Sequence, residues 1–197
     1  LRVSAKEIKE ARSKISSEEI TALRDMSACL RPRGNRKVKP WSYAGLVFMR
    51  FVPIPSVGCY IPGGQARYPS SVVMSVVTAR RAGVKRIVVV SPPNRDGKID
   101  PLTIVAAKMC GATEIYKVGG AQAIAALAYG TKSIPKVDKI VGPGGKFVSI
   151  AKSLVSDQTA IDMVAGPTEL GIVADASSNP ELVALDLISQ AEHSKDT

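Results

Sequence analysis

The sequence predicts an α/β protein with a parallel sheet and flanking helices, and three observations support this class. From Pro62 onwards, short apolar strand segments alternate with helical segments. The composition is 45% hydrophobic but only 5% aromatic, so Ala, Val and Ile must supply the core, as they do in α/β layers. The segment Arg86–Val90 has consecutive apolar residues, which is typical of a strand buried on both faces.

The N-terminal part is predicted to be helical first and extended later. Residues 4–30 have the pattern of two helices, and the second begins with a capping box in which Ser16 is the cap and Glu19 reaches back. The segments that follow are a basic connection over 31–45 and strands over 46–52 and 57–61.

The repeating part is bounded by turn residues at almost every step. A glycine follows the predicted helices at 83, 111 and 130, as expected of a helix C-terminus. Helices are predicted over 69–82, 101–110, 120–129 and 146–155, and strands over 86–90, 114–118, 139–141 and 170–174. This alternation favours βαβ units.

A last helix is predicted at the end of the chain, with Asn179 as its cap and Pro180 in its first turn. If it continues, Gln190 and His193 lie three residues apart on one side, where an amide oxygen and an imidazole could hold a divalent metal. His193 is the only histidine in the chain. From spacing alone, a helix-end cation or a packed imidazole explains it as well.

Charge and cysteine content limit the class of protein further. The net charge is +10, and the densest basic run, over residues 31–39, is typical of a solvated loop, with anionic-cofactor steering or nucleic-acid contact as alternatives. Cys29, Cys59 and Cys110 are widely separated, which predicts buried thiols in a reduced, cytoplasmic compartment. No apolar run is long enough to span a bilayer. A chain that opens on Leu1 and stops just after a motif is expected to be part of a longer protein.

Two glycine-rich turns are candidate anion sites. Gly119-Gly120 and Gly142–Gly145 each follow a predicted strand and precede a helix, where backbone amides and a positive helix end face a ligand. The usual dinucleotide fingerprint is absent, because Phe147 stands where its third glycine would be. Tight turns without a ligand remain an alternative at this point.

Five motifs occur in an order that resembles the histidinol dehydrogenase family, strongly over residues 57–193. They are Tyr60–Gly64, Val118–Gly130, Ile134–Gly144, Ile161–Glu169 and Ser189–His193. The resemblance implies two interleaved α/β/α layers of incomplete Rossmann-like type. Residues 1–59 would begin the first domain, 60–166 would form a cofactor-binding second domain, and 167–197 would return to the first and begin a zinc and substrate site.

The resemblance also implies cofactor contacts for NAD. The family's tyrosine before Pro-Gly-Gly matches Tyr60, and its glutamine of Gly-Gly-Ala-Gln matches Gln122. A third contact, an asparagine, falls on Gly145, so this side-chain contact would be lost here.

Zinc and substrate contacts are implied at the end of the chain. Gln190 and His193 match two of the family's zinc ligands, which also touch substrate. Thr168 stands where the family has a substrate-contacting serine and keeps its hydroxyl. The family's other two zinc ligands and its catalytic Glu-His pair have no counterpart in these 197 residues, so no catalytic residue is predicted and we expect this chain alone to be inactive.

The implied function is the zinc-dependent oxidation of L-histidinol to L-histidine with two NAD, the last step of histidine biosynthesis. The resemblance further implies a cytoplasmic homodimer with no nucleic-acid or membrane partner. Three alternatives remain open: a zinc- and NAD-dependent dehydrogenase of another small polar alcohol, a basic nucleic-acid-binding module that uses residues 31–43, and a catalytically inactive scaffold.

Overall fold

The computed structural model describes residues 1–30, 41–43, 47–49, 51–63, 67–164 and 169–191. The chain divides into two compact units, Leu1–Val164 and Ala165–Thr197. The basic run over 31–39 lies outside the described residues.

Helices and strands of the first unit follow the predicted order closely. The helices are α1 (Ala5–Ser13), α2 (Ser17–Cys29), α3 (Pro69–Arg81), α4 (Pro101–Cys110), α5 (Gly120–Tyr129) and α6 (Lys146–Leu154). The strands are β1 (Trp41–Tyr43), β2 (Val47–Met49), β3 (Ser56–Tyr60), β4 (Arg86–Ser91), β5 (Glu114–Lys117), β6 (Lys139–Val141) and β7 (Ala160–Ile161).

The main sheet has five parallel strands in the order β5-β4-β3-β6-β7, which confirms the predicted fold class. β3 is central, and every one of its residues is buried, as expected of a strand covered on both faces. Ser56 aligns with Arg86 of β4, and Val57 aligns with Lys139 of β6. β1 and β2 form a separate antiparallel pair.

Two apolar layers cover the sheet, one on each face. On one face the helices lie in the order α1, α4, α3 and α2, each packed against the next. They cover a cluster that includes Val72 and Ile87. α5 and α6 pack together over a second cluster that includes Leu127 and Ile140. The chain therefore changes faces between β5 and β6, and β3 and β6 flank the point where the strand order reverses.

Helix ends are set by the residues that the sequence singled out. Ser16 Oγ accepts a hydrogen bond from the Glu19 amide at 3.1 Å, while Glu19 Oε2 accepts from the Ser16 amide at 3.0 Å. This confirms the predicted capping box of α2. α4 ends at Gly111, whose φ of +105° lies in the region that favours glycine.

The free edge of β5 is covered by the first residues of the chain. The Val3 amide donates to the Ile115 carbonyl at 2.8 Å, and the Lys117 amide donates to the Leu1 carbonyl at 2.8 Å. Arg2 and Tyr116 form an antiparallel bridge. At the opposite edge, β7 is only two residues long.

The second unit contains α7 (Pro180–Ala191), where Asn179 Oδ1 accepts from the Glu181 amide at 2.9 Å. The predicted last helix and its asparagine cap are thus confirmed. The strand predicted over 170–174 is wrong, because residues 169–175 form no regular structure. An apolar segment becomes a strand only when a neighbour pairs with it, and the side chain of Val173 is fully exposed.

Other differences from prediction are small. Neither β1, which lies in the connection predicted over 31–45, nor β7 was expected, and the strand expected over 46–52 is the shorter β2. The predicted boundary between residues 59 and 60 falls inside β3. The division into 1–59, 60–166 and 167–197 concerns the complete protein and stays a prediction. None of the helices in the described part of the chain combines the length and hydropathy that crossing a bilayer requires.

Candidate functional site at the carboxyl edge of the sheet

The carboxyl ends of the parallel strands bring several turns together. β3 leads into residues 61–63, β4 into Pro92, β5 into Gly119 and β6 into Gly142–Gly145. In open parallel sheets, ligands bind at this edge where the strand order reverses, which here is the crevice between β3 and β6. The two glycine-rich turns predicted as anion sites therefore share one edge of the sheet.

Close backbone approach explains the glycine that follows β6. A Cβ atom on Gly142 would lie 2.1 Å from the carbonyl oxygen of Tyr60, well inside any allowed contact. The φ angle of Gly142 is +114°, which also favours glycine. The end of β6 thus packs directly against the end of β3.

Tyr60 supports the turn after β5. Tyr60 is only 5% exposed and belongs to the buried cluster beneath α5 and α6. Its hydroxyl oxygen accepts a hydrogen bond from the Gly120 amide at 3.1 Å. A phenol hydroxyl that accepts one bond keeps its own proton to donate, so Tyr60 can hold the turn and still contact a ligand.

The side chain of Gln122 lies close to the same glycine. Its side chain is exposed in the first turn of α5, and a Cβ atom on Gly120 would lie 2.7 Å from Gln122 Oε1. Tyr60 and Gln122, which were predicted separately, therefore both lie beside Gly120.

Gly145 is the N-cap of α6 and has open space around it. Its φ and ψ are −66° and 178°, an extended conformation that any residue adopts. No atom lies within 4 Å of the position where its Cβ would be. Neither α5 nor α6 has a side-chain cap, so their first amides face the carboxyl edge with only part of their hydrogen bonding supplied by the described residues.

An ion pair lies beneath the β6 turn, with Lys152 enclosed and the side chain of Asp162 30% exposed. Lys152, on α6, is 2% exposed, and its ammonium contacts Asp162 Oδ1 and donates to the Gly142 carbonyl at 3.1 Å. Asp162 Oδ2 accepts from the Gly142 amide at 2.8 Å. Burial alone would raise the pKa of Asp162, but the bonds from Lys152 and from the amides of Gly142 and Met163 outweigh it and lower the pKa.

Sequence reasoning missed this pair, although a signal was present. Lys152 follows Val148 by four residues, so both lie on the face of α6 that packs against the sheet. A lysine on the apolar face of an amphipathic helix indicates a buried partner.

The cysteines give no reactive group in this crevice. Burial raises the pKa of the Cys59 thiol to about 12, and the charge of Asp162 adds to the effect. Burial also raises the pKa of Cys110 to about 11. Both are buried as predicted, and thiols with such pKa values are inert. The expectation for Cys29 was wrong: it is exposed, because it ends α2 on the side away from Ile20 and Leu23.

The metal and substrate residues predicted near the end of the chain are only partly described. Gln190 lies in the last turn of α7, in the second unit. Thr168 and His193 lie outside the described residues. Within the described ranges, no group of three or more His, Cys, Asp or Glu side chains could hold a metal ion.

Comparison with known proteins identifies the family. The family model described as histidinol dehydrogenase matches residues 1–197. The chain belongs to the histidinol dehydrogenase family. The histidinol dehydrogenase of Methanothermobacter thermautotrophicus is 49% identical over 200 residues, which cover 98% of this chain and 46% of the relative. That of Oceanobacillus iheyensis is 58% identical over 144 residues, which cover 73% of this chain and 34% of the relative.

A solved structure supports the same assignment. The crystal structure of histidinol dehydrogenase from Elizabethkingia anophelis matches with a TM-score of 0.87 and 40% identity, covering 100% of this chain and 47% of that chain. The first unit therefore has a fold seen in the histidinol dehydrogenase family. Nearly all of this chain matches curated relatives such as that of Methanothermobacter thermautotrophicus. It spans about half of their length.

Proposed function

We propose that the complete protein carrying this chain is a zinc-dependent L-histidinol dehydrogenase. It would oxidise the primary alcohol of L-histidinol to the carboxylate of L-histidine with two NAD, the last step of histidine biosynthesis. The observation that supports this most directly is the match to the histidinol dehydrogenase family along residues 1–197. The chain's share of that activity is the cofactor site and the beginning of the substrate site.

The cofactor site is proposed at the carboxyl edge of the first unit. NAD carries an anionic pyrophosphate, and the uncapped starts of α5 and α6 present amides and the positive ends of two helix dipoles. Bound NAD supplies hydride acceptance at its nicotinamide ring. Tyr60 and Gln122, which both lie beside Gly120, would orient the cofactor by hydrogen bonds from the hydroxyl and the amide.

Gly145 departs from the family's asparagine, and its backbone geometry is compatible with the proposed cofactor binding. The residue caps α6 in an extended conformation, so its position at the helix start does not depend on a side chain. What is missing is one amide contact with the cofactor, which is worth about 0.5–1.5 kcal/mol.

Zinc and substrate are proposed to bind through Gln190, His193 and Thr168. An imidazole nitrogen and an amide oxygen are plausible zinc ligands by type, and zinc in this family serves to hold and orient the substrate. Catalytic zinc sites usually have three protein ligands, so Gln190 and His193 would need a further ligand. The complete enzyme is proposed to be a cytoplasmic homodimer.

A second candidate is a dehydrogenase of another small polar alcohol. Two positions that differ from the family's pattern favour it: glycine stands at 145 in place of asparagine, and threonine stands at 168 in place of serine. The two candidates differ in turnover: L-histidinol should be oxidised with a higher kcat/KM than other amino alcohols if the first is correct.

The test uses purified full-length protein. We expect two NADH per L-histidinol consumed, because alcohol to carboxylate is a four-electron oxidation; a ratio of one would indicate oxidation to the aldehyde only. Gln122→Ala should raise the KM for NAD, whereas Gln158→Ala should leave it unchanged. Gln158 is an exposed glutamine two residues before β7. It lies at the amino ends of the parallel strands, away from the proposed cofactor site, and is therefore a matched control.

A further inference from the structure

Lys152 is a buried charged residue, and its burial carries a desolvation free energy that its surroundings must offset. Its side chain is 2% exposed and is among the largest fully buried side chains of the described residues. Lysine is almost never fully buried unless it is paired, because removing an ammonium from water is expensive. Within this fold the charge lies at the carboxyl edge and not in the middle of either apolar cluster.

Both polar backbone groups of one residue are held by this ion pair. The Lys152 ammonium donates to the Gly142 carbonyl at 3.1 Å, and Asp162 Oδ2 accepts from the Gly142 amide at 2.8 Å. The Lys152 ammonium also contacts Asp162 Oδ1, which closes the arrangement into a ring. Asp162 is itself anchored, because its amide donates to the Ile140 carbonyl of β6 at 3.1 Å.

Gly142 is the residue where the chain leaves the sheet. Its φ of +114° and its contact with the Tyr60 carbonyl set the direction of the following Pro-Gly-Gly segment, which ends at Gly145, the N-cap of α6. Rotation of either peptide plane at Gly142 would therefore redirect the amides at the start of α6.

A purely stabilising role accounts poorly for this arrangement. The side chain of Asp162 is 30% exposed, and ion pairs that are open to solvent contribute little to stability; even an enclosed pair can often be replaced by apolar residues without loss of stability. A pair that holds a glycine turn at the ligand-binding edge has a more direct consequence for shape than for stability.

We propose that Lys152 and Asp162 are positioning residues that hold the Gly142–Gly145 turn in the conformation that receives the cofactor pyrophosphate. This inference rests on the proposed function and extends it to two residues that touch no cofactor. Removal of the pair should leave a folded protein whose turn is mobile and whose NAD affinity is reduced.

The experiment compares Lys152→Met with Arg86→Met in full-length protein. Arg86 pairs with Glu114 at 2.7 Å at the amino edge of the same sheet and is also largely buried, so it is a matched ion pair remote from the turn. We expect Lys152→Met to raise the dissociation constant of NAD at least about tenfold, with KM for L-histidinol changed less than about twofold. Arg86→Met should change the melting temperature but not NAD affinity.

Hydrogen exchange of the segment 141–150, measured without NAD, separates this inference from the proposed function. Faster exchange in Lys152→Met but not in Arg86→Met supports the positioning role. If wild-type protein binds no NAD, the proposed function fails, and exchange still decides whether the pair holds the turn. Unchanged exchange and unchanged NAD affinity in Lys152→Met would overturn the inference.

The double variant Lys152→Met/Asp162→Asn covers the case in which the single variant does not fold. It removes both charges, so no unpaired charge is left buried. It should fold and still bind NAD weakly. Wild-type NAD affinity in this folded double variant would equally overturn the inference.

Discussion

Replacement of Gly145 by asparagine should strengthen NAD binding, and the gain in binding free energy can be worked out from the geometry at this position. The backbone at Gly145 has φ −66° and ψ 178°, so asparagine adopts it without strain. No atom lies within 4 Å of the new Cβ, so no neighbour must move. The gain is then the hydrogen bond to the cofactor, about 0.5–1.5 kcal/mol, or roughly two- to tenfold in the dissociation constant.

A second effect must be separated from the first, because position 145 is a helix N-cap. Asparagine and serine both cap better than glycine, by a few tenths of a kcal/mol. Gly145→Ser is therefore the control: it supplies the cap but has no amide to reach the cofactor. Both variants should raise the melting temperature of the full-length protein slightly and to a similar extent.

Isothermal titration of NAD into the three full-length proteins measures the difference. We expect Gly145→Asn to bind more tightly than Gly145→Ser, and Gly145→Ser to bind like wild type. If asparagine and serine variants bind NAD equally, or if asparagine changes only the kinetics of L-histidinol, the start of α6 is not part of the cofactor site.

Three further perturbations test other parts of the structure. Gly142→Ala should lower the free energy of unfolding by at least about 2 kcal/mol, since its Cβ would collide with a backbone oxygen and its φ is +114°; in urea denaturation Gly145→Ala should change it by less than about 1 kcal/mol. The hydrogen bond from Lys117 at 2.7 Å lowers the pKa of Glu7 to about 2 from 4.5, so the stability it contributes is complete above about pH 4.5 and is lost as pH falls towards 2. Glu7→Gln should remove this pH dependence of the unfolding free energy, which is worth about 1 kcal/mol because the pair is about one-quarter exposed. An unfolding free energy that falls equally with pH between 4.5 and 2 in wild type and variant would contradict it. His193→Ala in the full-length protein should abolish zinc content and activity together, and retention of stoichiometric zinc by atomic absorption would show that the metal lies elsewhere.

Much of the fold follows from local signals that the chain carries in its own sequence. Ser16 and Glu19 mark the start of α2, and Gly111 marks the end of α4, because caps and left-handed turns have specific residue requirements. β7 could not be foreseen, since Ala160–Ile161 is too short for any periodicity. The strand expected over 170–174 was wrong for a related reason: strand formation depends on a partner that sequence does not specify.

The residues proposed for the cofactor site come from the resemblance, whereas the contacts among them come only from the structure. The resemblance points to Tyr60 and Gln122, but the contact of Tyr60 with the Gly120 amide joins segments 60 residues apart, which only the strand order of the sheet brings together. Lys152 shows the limit most clearly. A lysine is normally read as a surface residue, and only the packing of α6 against the sheet reveals that this one is enclosed.

The antiparallel pairing of the first three residues with β5 has a consequence for solubility. An exposed sheet edge offers unpaired amides and carbonyls on which another chain can polymerise. Leu1 and Val3 occupy those groups on Lys117 and Ile115, so the longer of the two edge strands is covered by the chain itself. Loss of this short segment would leave the fold's helices in place and yet convert β5 into a template for intermolecular strand addition, the first step towards fibrous aggregates.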